Sequence, residues 1–173
     1  QVGLEKGFVV NEISEQVLQE SVVSSTKIRA SIAAHDIETA NIFLGYPYFF
    51  DGLVVEGNKV GRTIGYPTAN LHIAPEEKLI PSDGVYAVRV TINDAKEVYM
   101  GMMNIGVRPT IDGKKRVVEV NIFDFDADIY GAQVKVELYY YLRGEVKFDG
   151  LEGLKAQLLQ DKKKAASLLQ GAV

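Results

Sequence analysis

The chain has 173 residues, 47% hydrophobic and 24% charged, enough to bury a core in one domain or one domain plus an appendage. A net charge of -4 at pH 7 disfavours a nucleic-acid binder, and the one basic run, Lys162-Lys163-Lys164, reads as a solvated helix face. With no cysteine and only His35 and His72, disulfides, thiolate chemistry and a multi-histidine zinc site are excluded.

In chain order, Gly7-Phe8-Val9-Val10 reads as a short buried strand. Ser24-Ser25-Thr26 offers hydroxyl caps for a helix running through Lys27 to Ala34. Asp36 caps a second short helix, Ile37 to Leu44, and Gly45 stands where a left-handed terminator is wanted. Beyond Pro47 the pattern becomes strands: Tyr48 to Glu56, Ala69 to Ile73, Gly84 to Ile92, Glu97 to Met103, Val117 to Phe125 and Gln133 to Leu142. Asn93-Asp94, Asp112-Gly113 and Tyr130-Gly131 supply turns. The fold class is therefore mainly β, a closed or nearly closed six-stranded antiparallel barrel. A last helix is expected behind Asp149, with Glu152 completing a capping box and Leu151, Leu154, Leu158, Ala165 and Leu168 forming an apolar stripe up to Gly171.

Chemistry concentrates between Gly57 and Asn70. Gly57, Gly61 and Gly65, with Lys59 and Arg62 between them, let a backbone approach a phosphate, although the run is neither a Walker A loop nor a Rossmann fingerprint. Glycine-rich hairpins also make plain tight turns, and Pro67 then only fixes a strand entry. Thr68 and Asn70, two residues apart, share one face if the chain is extended there. They suit a hard cation as oxygen ligands, or equally a turn as hydrogen bonders. In Val118-Glu119-Val120-Asn121-Ile122 the valines and isoleucine face a core, so Glu119 and Asn121 face the other side together. Glu119 is either a solvated surface carboxylate or a general base for phosphoryl transfer.

The run Gly61-Arg62-Thr63-Ile64-Gly65-Tyr66-Pro67-Thr68-Ala69-Asn70-Leu71 resembles the signature of riboflavin kinases, whose core is Pro-Thr-Ala-Asn. Gly84-Val85-Tyr86-Ala87, Asn104-Ile105-Gly106-Val107-Arg108-Pro109-Thr110, Val118-Glu119-Val120-Asn121 and Tyr141-Leu142-Arg143-Gly144-Glu145-Val146-Lys147-Phe148 are similar to the same family in the same order. The resemblance covers about residues 46 to 165. Val23-Ser24-Ser25-Thr26-Lys27-Ile28-Arg29 is similar to the motif that closes the nucleotide-binding domain of FMN adenylyltransferases, which precedes the kinase in bacterial bifunctional FAD synthetases.

The resemblance implies a Greek-key barrel with a C-terminal helix. It implies the reaction of riboflavin with ATP to give FMN and ADP, with Mg²⁺. Residue by residue, it implies Thr68 and Asn70 as metal ligands and Glu119 as the base on the ribityl 5′-hydroxyl. It places ATP on Gly57, Lys59, Gly61, Arg62, Gly65, Pro67, Thr68 and Asn70, and the flavin by Arg143 and Glu145. Asn104 to Thr110 is expected as a mobile flap loop or a rigid turn. Residues 1–35 are expected as the end of an adenylyltransferase domain, 36–45 as a linker helix and 46–173 as the kinase. The rest of the adenylyltransferase domain, and its activity, are expected to be missing. Neither nucleic acid nor membrane is an expected partner: no apolar run approaches the roughly 20 residues that span a bilayer. With no signal peptide visible, a cytoplasmic setting is expected. The alternatives are a non-catalytic flavin- or nucleotide-binding barrel and a small nucleic-acid-binding barrel.

Overall fold

A computed structural model describes residues 24–57, 60–75, 77–110 and 113–172. The strand expected at Gly7 to Val10 lies outside them, as does Lys59. Two helices come first, α1 (Ser25–Ala33) and α2 (Ile37–Leu44). Their caps form as the sequence dictates: Ser24 accepts from the Lys27 N–H, Asp36 accepts from the Thr39 N–H, and Gly45 ends α2 at φ +78°.

Six strands follow: β1 (Phe49–Val55), β2 (Ala69–His72), β3 (Gly84–Ile92), β4 (Val98–Thr110), β5 (Gly113–Ile122) and β6 (Gln133–Arg143). They close into an antiparallel barrel in the order β1-β2-β5-β4-β3-β6. The meander β3-β4-β5 is completed by β6 returning beside β3, a Greek-key arrangement. Alternation decides which side chains fill it: Phe50, Val54, Tyr86, Val88, Val120, Val136 and Leu138 are buried inside.

Helix α4 (Leu151–Gly171) lies across the outside of β3, β4 and β6. Ala165 and Leu169 bury with Val85, Ala87, Met102, Phe123 and Leu142 to form a second, outer core. Helix α2 buries Ile37 in the barrel core and is tied down further by Asn41. Asn41 donates to the Leu138 carbonyl at 2.8 Å and accepts from the Tyr48 N–H at 2.7 Å, satisfying backbone groups of β6 and of the chain entering β1. His35 adds a ring contact with Tyr141, centroids 4.2 Å apart. Among the described residues no helix is long and apolar enough to cross a membrane.

Three expectations need correction. Asn104 to Thr110 is not a loop: it is the second half of β4, paired with β5 from Asn104↔Glu119 out to Thr110↔Gly113. β3 stops pairing with β4 at Ile105, and beyond it β4 continues with β5 as its partner, so this stretch lies outside the part of the barrel whose alternation marks a strand in sequence. Asp149 does not cap α4, because the N-cap position falls on Gly150, with no side-chain cap bond. One residue of displacement removes the capping box with Glu152. The apolar stripe of α4 holds for Leu158, Ala165 and Leu168, but Leu151 is exposed, and the buried Asp161 interrupts the stripe between Leu158 and Ala165.

Candidate active site

Strand register assembles the site. Asn70 on β2 is the direct partner of Glu119 on β5, and Glu119 is also opposite Asn104 on β4. Asn104 is opposite Val85 on β3, and Val85 opposite Arg143 on β6. Opposed residues of antiparallel neighbours stand side by side on the same face. Because Val118 and Val120 point into the barrel, this row points out of it. Glu119, Asn70 and Arg143, far apart in sequence, thus belong to one band around the barrel.

Above the row the chain between β1 and β2 forms a strap, with a single helical turn, α3 (Val60–Thr63), where the sequence suggested only a glycine loop. Its glycines are required by close approach. A Cβ at Gly61 would lie 2.2 Å from the Tyr66 carbonyl oxygen, and the Gly61 carbonyl accepts from the Tyr66 N–H. A Cβ at Gly57 would lie 2.0 Å from Asn70 Nδ2. Gly65 turns the strap back at φ +83°. The strap's far end is fixed by Asn121, a buried amide that donates from Nδ2 to the Pro67 carbonyl at 2.7 Å. Thr68 and Asn70 both abut this strap: Thr68 Oγ1 is 3.5 Å from where a Gly61 Cβ would sit.

Two cavities meet at Thr68. The larger, about 790 Å³, lies between the outward row and α4. Gly61, Thr68, Asn104, Arg108, Glu119 and Asn121 form its polar floor. Ile64 and Tyr66 of the strap, Val85 and Met102 of the barrel, and Leu154 and Leu158 of α4 form apolar walls. The smaller, about 590 Å³, opens by β1, β2 and β5. Arg62, Pro67 and Thr68 border it, with Val54, Val120 and Phe125 beneath and Asp126 and Asp128 at its edge. A strap shared by an apolar-walled slot and a second pocket is a geometry for two ligands meeting at one point.

The named candidates are therefore largely brought together. Glu119 and Thr68 share the larger cavity with Arg143 and Glu145, while Arg62, Pro67 and Thr68 border the smaller. Asn70 holds the row beside Glu119, and Gly57 and Gly65 shape the strap. Arg143 lines the wall, but most of its hydrogen bonds go to the protein. Its Nε and Nη2 donate to Asp161, with Nη2 to Oδ2 at 2.6 Å, and Nη1 donates to the Gly144 carbonyl. Gln157 completes the cluster by donating to Asp161 Oδ1 at 2.9 Å. Glu145 rests its carboxylate on bare backbone: a Cβ at Gly106 would fall 1.9 Å from Oε1.

Sequence reasoning missed Asn121, Arg108 and Asp161 as site residues. Asn121 had a signal, since alternation placed it on the Glu119 face. Asp161 had one too, falling in the apolar stripe of α4 between Leu158 and Ala165. Arg108, whose Nη2 donates to Glu119 Oε2 at 3.0 Å, was hidden by the reading of its segment as a loop.

Comparison with known proteins identifies the family. The family model for riboflavin kinase (flavokinase) matches residues 44–169. The chain belongs to the riboflavin kinase family. It is 42% identical over 160 residues to the bifunctional riboflavin kinase/FMN adenylyltransferase of Bacillus subtilis, covering 91% of this chain and 49% of that protein. The chain thus spans about half the length of the curated relatives it matches. A riboflavin kinase structure from Trypanosoma brucei superposes with TM-score 0.57 at 27% identity, covering 73% of this chain and 82% of that one. A crystal structure described as a macrolide-efflux protein from Streptococcus pneumoniae gives TM-score 0.79 at 41% identity, covering 86% of this chain and 48% of that one.

Proposed function

We propose that this chain transfers the γ-phosphoryl group of ATP to the ribityl 5′-hydroxyl of riboflavin, giving FMN and ADP. One observation carries the reading: Glu119 and Asn70 are direct cross-strand partners beside the strap that separates the two cavities. A flavin ring in the apolar slot of the larger cavity would put its ribityl chain over the polar row. The smaller cavity would take the nucleotide, with Arg62 toward its phosphates. Glu119 then orients the attacking hydroxyl and accepts its proton, the single acid–base role that phosphoryl transfer to an alcohol requires.

The donor set fits a cation delivered with the nucleotide. Thr68 and Asn70 offer two neutral oxygens, and the described residues hold no cluster of three or more His, Asp or Glu that could bind a metal alone. A hard ion such as Mg²⁺ suits such a pair, because phosphates and water complete its shell. Held by Thr68 and Asn70, such an ion would supply charge neutralisation at the transferring phosphate. Gly57, Gly61 and Gly65 let the strap's backbone approach that phosphate, Pro67 sets the entry to Thr68, and Lys59 is assigned to the same phosphates. Glu145 is assigned to the polar edge of the flavin, and Arg143 to holding the wall against which the flavin lies.

Residues 1–35 are proposed as the end of an adenylyltransferase domain, 36–45 as a linker helix and 46–173 as the kinase, in a cytoplasmic protein. The chain should therefore make FMN and no FAD. Incubation with riboflavin, ATP and MgCl₂, followed by chromatography of flavins and nucleotides, tests this directly. Glu119→Gln is expected to lower turnover about 100-fold or more, in the range of general-base losses. Riboflavin binding with no ADP formed by the unaltered chain would favour a non-catalytic barrel. Near-normal turnover in Glu119→Gln would refute the role of that carboxylate.

A further inference from the structure

Among the described residues, the hydrogen-bond partner of the Glu119 carboxylate is Arg108, which holds Oε2 at 3.0 Å. The two are not register partners. Arg108 stands opposite Lys115 in the part of the β4–β5 hairpin beyond Ile105, while Glu119 stands opposite Asn104 on the barrel wall. The guanidinium reaches back along the outer face to meet the carboxylate, over a stretch whose same-face residue is Gly106. Half of the Arg108 side chain is exposed against 22% for Glu119, so the pair joins a solvent-facing arm to a mostly enclosed acid. An ion pair this open adds little to folding stability. Its geometric effect is larger: it fixes one carboxylate oxygen and leaves Oε1 for another donor.

We propose that Arg108 is a positioning residue that sets the orientation of Glu119 toward the attacking hydroxyl. The inference rests on the reading of Glu119 as the base. A strand carboxylate has free side-chain torsions and finds many orientations by itself. In phosphoryl transfer, catalysis is mostly positioning and charge stabilisation, so a held carboxylate counts for more than a strongly basic one. The planar fork of Arg holds a carboxylate plane in a way a lysine ammonium does not. Arg108 could instead anchor a phosphate of the nucleotide, and the two roles separate kinetically.

The test is steady-state FMN formation by the full chain, its Arg108→Gln, Arg108→Lys and Glu119→Gln variants, and the Arg108→Gln/Glu119→Gln double variant. Arg108→Gln is expected to lower kcat about 10-fold or more, with KM for ATP and riboflavin within about twofold, the pattern of an interaction used in the transition state. Arg108→Lys should lie between Gln and wild type. In the Glu119→Gln background, Arg108→Gln should cost nothing further, since residues acting as one unit are non-additive. A raised KM for ATP with unchanged kcat overturns the proposal in favour of a phosphate anchor. An equal loss in both backgrounds, or no change at all, also overturns it. Normal turnover in Glu119→Gln alone fails the base reading, whereas an impaired Glu119→Gln with additive effects fails only the role of Arg108.

Discussion

Consider Asp161→Ala. The Asp161 carboxylate is 4% exposed and accepts from Arg143 Nε and Nη2 and from Gln157 Nε2. Its removal leaves Arg143, whose side chain is only 20% exposed, with the Gly144 carbonyl as the remaining partner of its guanidinium among the described residues. Breaking one side of a buried pair costs about 3–5 kcal/mol, because the surviving charge is left uncompensated. Arg143 keeps some water and one carbonyl, which places the expected loss near the lower end, about 3 kcal/mol. For a chain of this size each kcal/mol moves Tm by about 2–4 °C, so the melt should fall by about 6–12 °C. Urea unfolding followed by circular dichroism should show a lower midpoint at unchanged slope. Because Leu154 and Leu158 ride on the same helix, KM for riboflavin should rise together with the lost stability. Asp161→Leu with Arg143→Met should recover much of the stability, as no orphan charge remains. A loss under about 1 kcal/mol in Asp161→Ala, or a double variant worse than the single, would refute the reasoning.

Asn121→Ala removes the donor that holds the Pro67 carbonyl, and about 1–3 kcal/mol of stability should go with it. KM for ATP should rise in the same variant, read from initial rates at varied nucleotide. In Gly57→Ala the new methyl would sit 2.0 Å from Asn70 Nδ2, so the amide must swing away. Mg²⁺ titration of activity should then shift to higher concentration. Burial, and next the neighbouring Tyr141, push the Tyr86 phenol well above its ordinary value of 10.0 while it donates to the Ser82 carbonyl. The folded state therefore favours the neutral phenol. That contribution is complete below the unfolded value and is lost as pH rises past it toward the folded one. Tyr86→Phe should flatten the fall of Tm above about pH 10, measured by scanning calorimetry.

Helix α2 was readable to its last residue, because Asp36 and Gly45 act locally and nothing distant contests them. The six strands were readable for a related reason: each carries a side facing the core, and turn residues separate them. The outer half of the β4–β5 hairpin was not. Beyond Ile105 its β4 half pairs with β5 only, and backbone pairing leaves no mark in side-chain pattern. With it went Arg108, whose contact with Glu119 depends on a reach along the hairpin. The start of α4 failed by a single position, enough to disconnect a capping side chain from its target. Asp161 is a different case: its place in the stripe was visible, but its partner is Arg143, on another element. The convergence of Asn70 with Glu119 could be guessed only through resemblance, since strand order in a barrel is a long-range property.

The band that carries Asn70, Glu119, Asn104 and Arg143 draws on four strands, and β3 supplies the link between two of them. No hairpin taken by itself holds it. Such a constellation exists only when β2, β5, β4, β3 and β6 lie paired side by side, so catalytic competence should arrive after all five have joined and depart when any one leaves, with no half-active fragment between.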